Sequence, residues 1–505
     1  MRRNVLLVII DQFRADLLAG DLAQHVDLPN LQGLRRDSVV FDNHFTVTTP
    51  CGPSRASLLT GQYAMNHRSI RNGTPLAAHH PSLGPEARKA GYEPLLFGYT
   101  DVSADPDHLH PDDPDLKSYE GLAAGFAEIL RMRFEETGSW QADLKAKGYD
   151  LPRSHFAIYA PVADNGPPAI NDPALYRAED SDTAFLTDQT LRELSVRENK
   201  GWFATVTYIR PHPPFVAPAP YNRMFAPGAL PAPQRQANLA ATRATHPFLD
   251  AMFAEPGQYG LYIGFDGKLD QLPDNDAALL RSVYAGLARE VDDHIGRLVE
   301  YLKSSGQWDN TTLVITADHG EMLGDHYLWG KNAPFDAALK VPLIIRDPDY
   351  RPRVVTALTE TIDTTATLLA LMGRTPPDSV NGRSLIPWLN GETPDAWREH
   401  VFAEIDLGDP ERPTVFQRRF DLDMARCNYA VLRERRWKYV HFNGGLPPLL
   451  FDLGADPHEL CNLADDPVYA AELSRLRVRM LDHRMEFAQS AQSRRALTTR
   501  GVLRA

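Results

Sequence analysis

The stretch Cys51-Gly-Pro-Ser-Arg55 sets a thiol beside a glycine and a proline, with an obligate cation four positions on. The small, apolar run that follows, Ala56-Ser-Leu-Leu-Thr-Gly61, predicts the start of a helix. Taken alone, the pattern fits either a cysteine buried in a helix-capping turn or the precursor of a nucleophile. Four other short polar groups bear on the choice. Asp11-Gln12 closes the apolar run Val5–Ile10, and Asp318-His319 closes Thr312–Ala317. His212 stands among prolines after Trp202–Ile209, and Lys331 follows Asp318 closely.

Asp11, Gln12, Asp318 and His319 form an oxygen-rich set with one imidazole. That set suits a single divalent ion, Mn2+, Ca2+ or Mg2+, and lacks the thiolates of structural zinc; the imidazole favours Mn2+ among them. Arg55, Lys331 and His212 add positive charge and donors. A metal with such donors is the equipment for stabilising negative charge on a sulfuryl or phosphoryl group.

The elements that must position these groups read as α/β. Val5–Ile10 is a continuous β-branched and leucine run, as expected of a parallel strand buried on both faces. Ser38–Phe45, Tyr92–Thr100, Trp202–Ile209, Thr312–Ala317 and Val341–Arg346 read as further strands. Helices are expected at Pro29–Arg36, Thr183–Glu198, Ala277–Ser304 and Asp363–Leu371. Residues 104–115 read as a solvated loop, and 216–275 as an insertion or lid. Alternating strands and helices predict a large, mostly parallel, doubly wound sheet flanked by helices. Ligand groups in such sheets gather at the carboxyl ends of the strands, which delivers Asp11, His212 and Asp318 to one edge. Beyond residue 395 the texture changes. Tyr429–Arg433, Trp437–Phe442 and Leu449–Asp452 read as a small antiparallel sheet, followed by a helix at Ala470–Ala488. The expected domains are therefore a catalytic α/β domain over 1–395 and an α+β subdomain with a tail over 396–505.

The 505 residues can bury a large core, and 43% hydrophobic with 24% charged residues is ordinary globular composition. A net charge of -13 with no basic block disfavours a nucleic-acid partner. No apolar run approaches a membrane span. The Val5–Ile10 run is too short for a secretory leader and has no small-residue cleavage site, so the expected compartment is cytoplasmic. The three cysteines, Cys51, Cys427 and Cys461, are too scattered for a disulfide framework.

Cys51-x-Pro53-x-Arg55 with Leu58-Leu59-Thr60-Gly61 resembles the sulfatase signature, within the alkaline phosphatase superfamily. The likeness continues through Pro29-Asn30-Leu31, His212-Pro-Pro-Phe215, Asp318-His-Gly-Glu321, Gly382-Arg-Ser-Leu385 and Phe451–Glu459. Within the family it is nearest to phosphonate monoester hydrolases and related arylsulfatases. Gln12, Asn72, Tyr99 and His319 match that group, where ordinary sulfatases have Asp, Asn and a Lys/His pair at the corresponding places. Asp101 departs from it, since the group looks to carry threonine there.

The resemblance implies that Cys51 is converted to formylglycine by a formylglycine-generating enzyme. Hydrated, that residue is a geminal diol: one hydroxyl attacks sulfur or phosphorus, and the second expels the covalent adduct by re-forming the aldehyde. Residue 51 then joins Asp11, Gln12, Asp318 and His319 at the metal. Arg55 and Lys331 hold developing charge, His212 and Lys331 serve the departing oxygen, and Asn72, Tyr99 and Asp101 meet substrate oxygens. The substitutions leave the metal fewer anionic ligands and remove positive charge near the substrate. Such a site suits a small anionic ester, an aryl sulfate or a monoanionic phosphonate monoester or phosphodiester, and would meet a dianionic phosphate monoester with an acidic Asp101. A dedicated phosphonate monoester hydrolase or phosphodiesterase with minor sulfatase activity is the alternative. A protein whose Cys51 is not converted, and which only binds ligand, is the distant one. The tail from Arg494 is too short to fold alone and could pack on a neighbouring subunit of a dimer or tetramer.

Overall fold

The computed structural model describes residues 2–163, 165–197, 201–256, 260–488, 495–499 and 501–504. Nine strands, β1 (Asn4–Ile10), β2 (Val39–Phe45), β3 (Pro94–Gly98), β4 (Ala127–Arg131), β5 (Phe203–Tyr208), β6 (Thr311–Ala317), β7 (Lys340–Val341), β8 (Leu343–Arg346) and β9 (Arg353–Glu360), make one sheet. Its order is β4-β3-β5-β1-β6-β8-β2, and β7 and β9 also pair with β2. The run from β4 to β6 is parallel throughout. β8 runs antiparallel between β6 and β2, and β9 is parallel to β2.

β1 shows why the sheet sits where it does. All seven of its residues are buried, and they divide by the two-residue period of a strand. Leu6, Val8 and Ile10 pack into a core with Phe185 and Leu186 of the Asp182–Ser195 helix and Val283, Leu287 and Val291 of the Asp274–Ser304 helix. Val5, Leu7 and Ile9 face the opposite core, with Leu58 and Leu59 of the Cys51–Thr60 helix and Leu368 and Leu369 of the Thr361–Leu371 helix. A strand covered on both faces has no polar face to show in sequence, so it reads as an unbroken apolar run.

A second sheet, β10 (His400–Asp406), β11 (Asn428–Glu434), β12 (Trp437–Phe442) and β13 (Leu449–Asp452), is antiparallel in sequential order. The Ala470–Phe487 helix packs on it through Leu473, Leu476 and Met480. That cluster runs on into Val47, Tyr63 and Ile362, so the two sheets share packed apolar surface. Lys438 of β12, wholly buried, binds Asp336 at 2.8 Å and Glu459 at 2.5 Å and ties the segment after Lys331 to this sheet.

The sheets agree with the sequence expectation, with three strands it did not contain. β4 is a polar edge strand (Ala-Glu-Ile-Leu-Arg), β9 begins with exposed residues, and β10 carries His400, Glu404 and Asp406. None of them shows a clean apolar period. Within 216–275 two short helices, Leu239–Thr245 and Pro247–Met252, pack against the second sheet through Phe248, whose ring stacks on Phe416. Arg495–Thr498 pairs antiparallel with Gly501–Arg504, and the start of the tail at Arg494 lies outside the described residues.

Candidate active site

Strand register builds the site. Ile10 pairs with Tyr208 on one side and Ala317 on the other, so β1, β5 and β6 end level. Asp11 and Gln12, the Arg210–Phe215 segment, and Asp318 and His319 therefore leave the sheet together at its carboxyl edge. Gln12 turns at once into the left-handed region (φ 62°), held there by its N–H to Asp318 Oδ1 (3.1 Å) and its carbonyl to the Tyr284 hydroxyl (2.9 Å). The Cys51–Thr60 helix begins opposite this edge. It is buried along its whole length, and Ser54 anchors it by donating to the Asp318 carbonyl at 2.5 Å.

Cys51 Sγ lies 3.2 Å from His319 Nε2 and 3.8 Å from Asp11 Oδ1. Ligand atoms of Asp11, Cys51, Asp318 and His319 all fall within 4.8 Å of one another, and all four residues are buried. Arg55 bridges the two acids: its Nη2 is 3.0 Å from Asp11 Oδ2 and its Nε 3.0 Å from Asp318 Oδ2. Tyr99 at the end of β3 donates to Asp11 Oδ2 (2.5 Å) and accepts from Arg55 (3.1 Å), with the guanidinium carbon 4.3 Å from its ring centre. Lys331 donates to Gln12 Oε1 at 2.7 Å.

The electrostatics fit a bound cation. Burial drives Asp318 up to about 7 and the neighbouring Asp11 charge adds to this; Asp11 itself, despite its burial, is held well below the usual carboxylate range by His212, Arg55 and Lys331. Two carboxylates this close do not both ionise cheaply without a positive centre between them. Burial, with Lys331 nearby, lowers His319 to about 3 and keeps it neutral. Its Nδ1–H points to the Gly320 carbonyl (3.0 Å), which leaves the Nε2 lone pair facing Cys51. Two oxygen donors, a neutral imidazole and the residue-51 side chain thus fit a divalent ion, with the Gln12 oxygen beside them.

His212 borders the site and is half-buried; its Nδ1 donates to the Pro213 carbonyl at 2.6 Å, and burial together with Lys331 lowers it to about 3. Asn72 accepts from the Gly52 N–H at 2.9 Å. A Cβ at Gly52 would stand 3.0 Å from both Asn72 Oδ1 and the Asp101 carbonyl, so no side chain fits there without displacing one of them. Asp101 (3% exposed) sits beyond, with Oδ1 lacking any hydrogen-bond partner among the described residues. Burial raises it well above the usual carboxylate range, and Glu120, Asp11 and Asp318 push the same way. Every residue singled out in the sequence is therefore at or beside this edge.

Two supporting residues carried no role in the sequence reading. Glu321 accepts from the Gln12 amide and from the N–H groups of Leu323 (2.8 Å) and Gly330 (2.7 Å), so one carboxylate fixes both Gln12 and the approach to Lys331. It lies in the quoted Asp318–Glu321 motif, which was the available signal. Arg210 donates to the carbonyls of His212 (3.2 Å) and Pro214 (2.9 Å) and pairs with Asp182 (3.1 Å). An arginine one residue before Pro-His-Pro-Pro was its only trace.

Comparison with known proteins agrees with this geometry. The sulfatase family model matches residues 3–374, and the model for the C-terminal region of N-sulphoglucosamine sulphohydrolase matches residues 324–486. The structure of the phosphonate monoester hydrolase SpPMH from Silicibacter pomeroyi superposes with a TM-score of 0.95 at 48% identity, over 100% of this chain and 99% of that one. That of the phosphonate monoester hydrolase of Agrobacterium radiobacter gives 0.95 at 39% identity over 100% of both chains. The multifunctional alkaline phosphatase superfamily protein PehA of Trinickia caryophylli is 37% identical over 99% of each chain. With a strand edge that gathers Asp11, Cys51, Asp318 and His319, the chain belongs to the sulfatase family of the alkaline phosphatase superfamily and is a hydrolase of its phosphonate monoester hydrolase group.

Proposed function

We propose that the chain hydrolyses aryl sulfate monoesters together with phosphonate monoesters and phosphodiesters at the Cys51 site. The observation that carries the reading is the seat of Cys51: a buried side chain at a helix start, 3.2 Å from a neutral imidazole and flanked by Asp11 and Asp318 that Arg55 bridges. Converted to formylglycine by a formylglycine-generating enzyme, residue 51 supplies a geminal-diol nucleophile that can discharge its product by re-forming an aldehyde. A divalent ion held by Asp11, Gln12, Asp318, His319 and residue 51, Mn2+ in our reading, supplies Lewis acidity there.

The chain's own residues do the rest. Arg55 favours the ionised form of both acids and adds fixed positive charge next to the nucleophile. The Lys331 ammonium faces the same opening as His212 and is the cation that meets charge on the departing oxygen. His212 donates its Nδ1–H to Pro213, so Nε2 is the atom turned to the leaving group. Asn72 sets its side-chain amide beside the substrate oxygens, Tyr99 borders them while its O–H holds Asp11, and Asp101 stands where its buried carboxyl senses their charge. A site with so few fixed charges towards the substrate discriminates weakly between one ester class and another.

Peptide mass spectrometry for the aldehyde at position 51, joined to a substrate panel and metal analysis, tests the reading. Cys51→Ala should abolish turnover and keep the fold; substantial residual activity would sink the assignment. Asp101→Thr should change the ratio of rates on aryl sulfate and aryl phosphonate, and an unchanged ratio counts against its role. A second reading, a dedicated phosphonate monoester hydrolase with minor sulfatase activity, is favoured by the likeness to two such hydrolases. Relative kcat/KM on paired esters separates the two. The setting we propose is cytoplasmic, consistent with free cysteines at 51, 427 and 461, and the assembly a homo-oligomer. Among the described residues no helix is long and apolar enough to cross a membrane.

A further inference from the structure

A cavity of about 310 Å3 opens over Gln12, His212 and Lys331, the three groups that border the residue-51 side of the site. Its walls are Phe134, Pro213, Pro214 and Leu261, Asn332 adds one neutral polar side chain, and among the described residues no carboxylate lines it. Phe134 is the one benzene ring among these residues, and it is half-buried, so part of the ring is left to the cavity.

The ring is held in place from several sides. The Phe134 N–H donates to Glu120 Oε1 at 3.0 Å, and the next N–H, of Glu135, to Glu120 Oε2 at 2.8 Å. Its carbonyl meets His155 Nε2 at 2.7 Å. Tyr159 lies stacked at 6.1 Å between ring centres, Phe156 at 5.2 Å, and the catalytic-side imidazole of His212 at 5.5 Å. Glu120 is 2% exposed and spends both oxygens on this one turn. A turn this heavily anchored presents a preformed aromatic wall next to the imidazole that faces the departing oxygen.

We propose that this cavity is the leaving-group subsite and that Phe134 is its specificity-determining residue, selecting flat, uncharged aromatic alcohols and rejecting cationic ones. The inference rests on the ester-hydrolase reading above and adds to it which alcohol the site prefers. A phenyl ring entering over Lys331 would lie against the Phe134 face, with Pro213 and Leu261 closing the sides. A quaternary ammonium group would enter beside the Lys331 cation with no carboxylate among the described lining residues to receive it.

The test uses the converted, metal-loaded enzyme with phenyl and 2,2,2-trifluoroethyl esters of one phosphonic acid, since the second alcohol is too small to reach the wall. Phe134→Leu, which keeps apolar volume, and Phe134→Ala should both lower kcat/KM for the phenyl ester by about 3- to 10-fold relative to the trifluoroethyl ester, the range expected of one aromatic contact. Equal losses on both esters would overturn the subsite while leaving the hydrolase reading intact. A 3-(trimethylammonio)phenyl ester should be at least about tenfold poorer than its tert-butyl isostere in the unaltered enzyme; parity would overturn the charge argument. If no ester is turned over at all, the function reading fails, and phenol binding by calorimetry still decides the subsite. Binding weakened in Phe134→Ala supports it, and binding that is absent or unchanged refutes it.

Discussion

Gln12 donates its side-chain N–H to Glu321, and that bond decides which end of the amide faces Lys331 and the metal donors. Without it the two ends of a glutamine amide are interchangeable in shape. With Glu321 on one side and the Lys331 ammonium 2.7 Å away on the other, only the oxygen can point to the cationic side. A neutral candidate ligand is thus oriented by a carboxylate that lies outside the Asp11, Cys51, Asp318 and His319 cluster.

Glu321→Gln should therefore loosen the metal while leaving its donor set unchanged. A glutamine at 321 can present an N–H to Gln12 and let the amide turn over. Losses on removing such orienting partners run about 10- to 100-fold in metal affinity. Chelator competition on Glu321→Gln, set against Gln12→Ala, measures it. Unaltered affinity in Glu321→Gln would show that Gln12 needs no orientation.

Arg210 holds the backbone of the His212 segment and does not itself line the cavity over Lys331. Its guanidinium holds two carbonyls of the His212–Pro214 segment, pairs with Asp182 and lies 4.7 Å over the Tyr159 ring. Lysine keeps the charge and loses the fork. Arg210→Lys should lower kcat by about 10- to 100-fold, as misplacement by an ångström can. KM for the trifluoroethyl ester, metal content and aldehyde content should stay as they were. A fall in metal content would instead mean a general disturbance of the strand edge.

Lys438 ties the segment after Lys331 to the second sheet through a buried ion-pair network. Burial works against the charge on Asp336, yet Lys438 and Arg433 beside it hold it well below the usual range, while Glu459, also buried, rises to about 7. Lys438→Met fills the volume but leaves the buried Glu459 without its cation and Asp336 with Arg433 alone. The expected cost is about 3–5 kcal/mol, read from urea unfolding. The double variant Lys438→Met, Asp336→Asn should recover part of it. A single variant within about 0.5 kcal/mol of the unaltered protein would show the network to be neutral.

The large sheet and the residues at its carboxyl edge were legible because their signals are local: an unbroken apolar run, then an acid, at Asp11, and a short β-branched and leucine run, then an acid, at Asp318. Asn72, Tyr99 and Asp101 came only through family likeness, since nothing in a tyrosine after Gly98 says that it will meet Arg55 from another element. Phe134, Glu120 and Arg210 were not legible at all. Each acts across 14 to 28 residues or through backbone atoms, as Glu120 does on Phe134 and Arg210 on Asp182. Backbone partners leave no mark in residue type. The strands β4 and β10 were missed for a related reason: β4 is largely unburied and carries polar residues, and β10, though buried, holds Glu404 and Asp406 against Arg68 and Arg484, so neither shows a period-2 apolar pattern.

The His400 and His483 rings make the fold sensitive to acid on one side. His400 Nε2 and His483 Nδ1 are 3.0 Å apart, joining β10 to the Ala470–Phe487 helix, and the His483 ring also lies on Phe402 at 4.4 Å. Burial lowers His400 to about 4, with Arg479 adding to it, and burial, His400 and Arg398 lower His483 to about 2. Both rings are neutral in the fold, and one N–H serves the pair. In the unfolded chain each histidine takes a proton near pH 6.5. Between that value and the folded one, the unfolded state holds more protons, so stability is complete above about pH 6.5 and falls as the pH drops. At about 1.36 kcal/mol per pH unit, His483 alone removes about 2 kcal/mol between pH 6.5 and 5. His483→Phe keeps a ring against Phe402 and Tyr63 and has nothing to protonate. Urea unfolding at pH 7.5 and 5.0 should show a loss about 2 kcal/mol smaller in His483→Phe than in the unaltered protein. Equal losses would place the acid sensitivity elsewhere in the molecule.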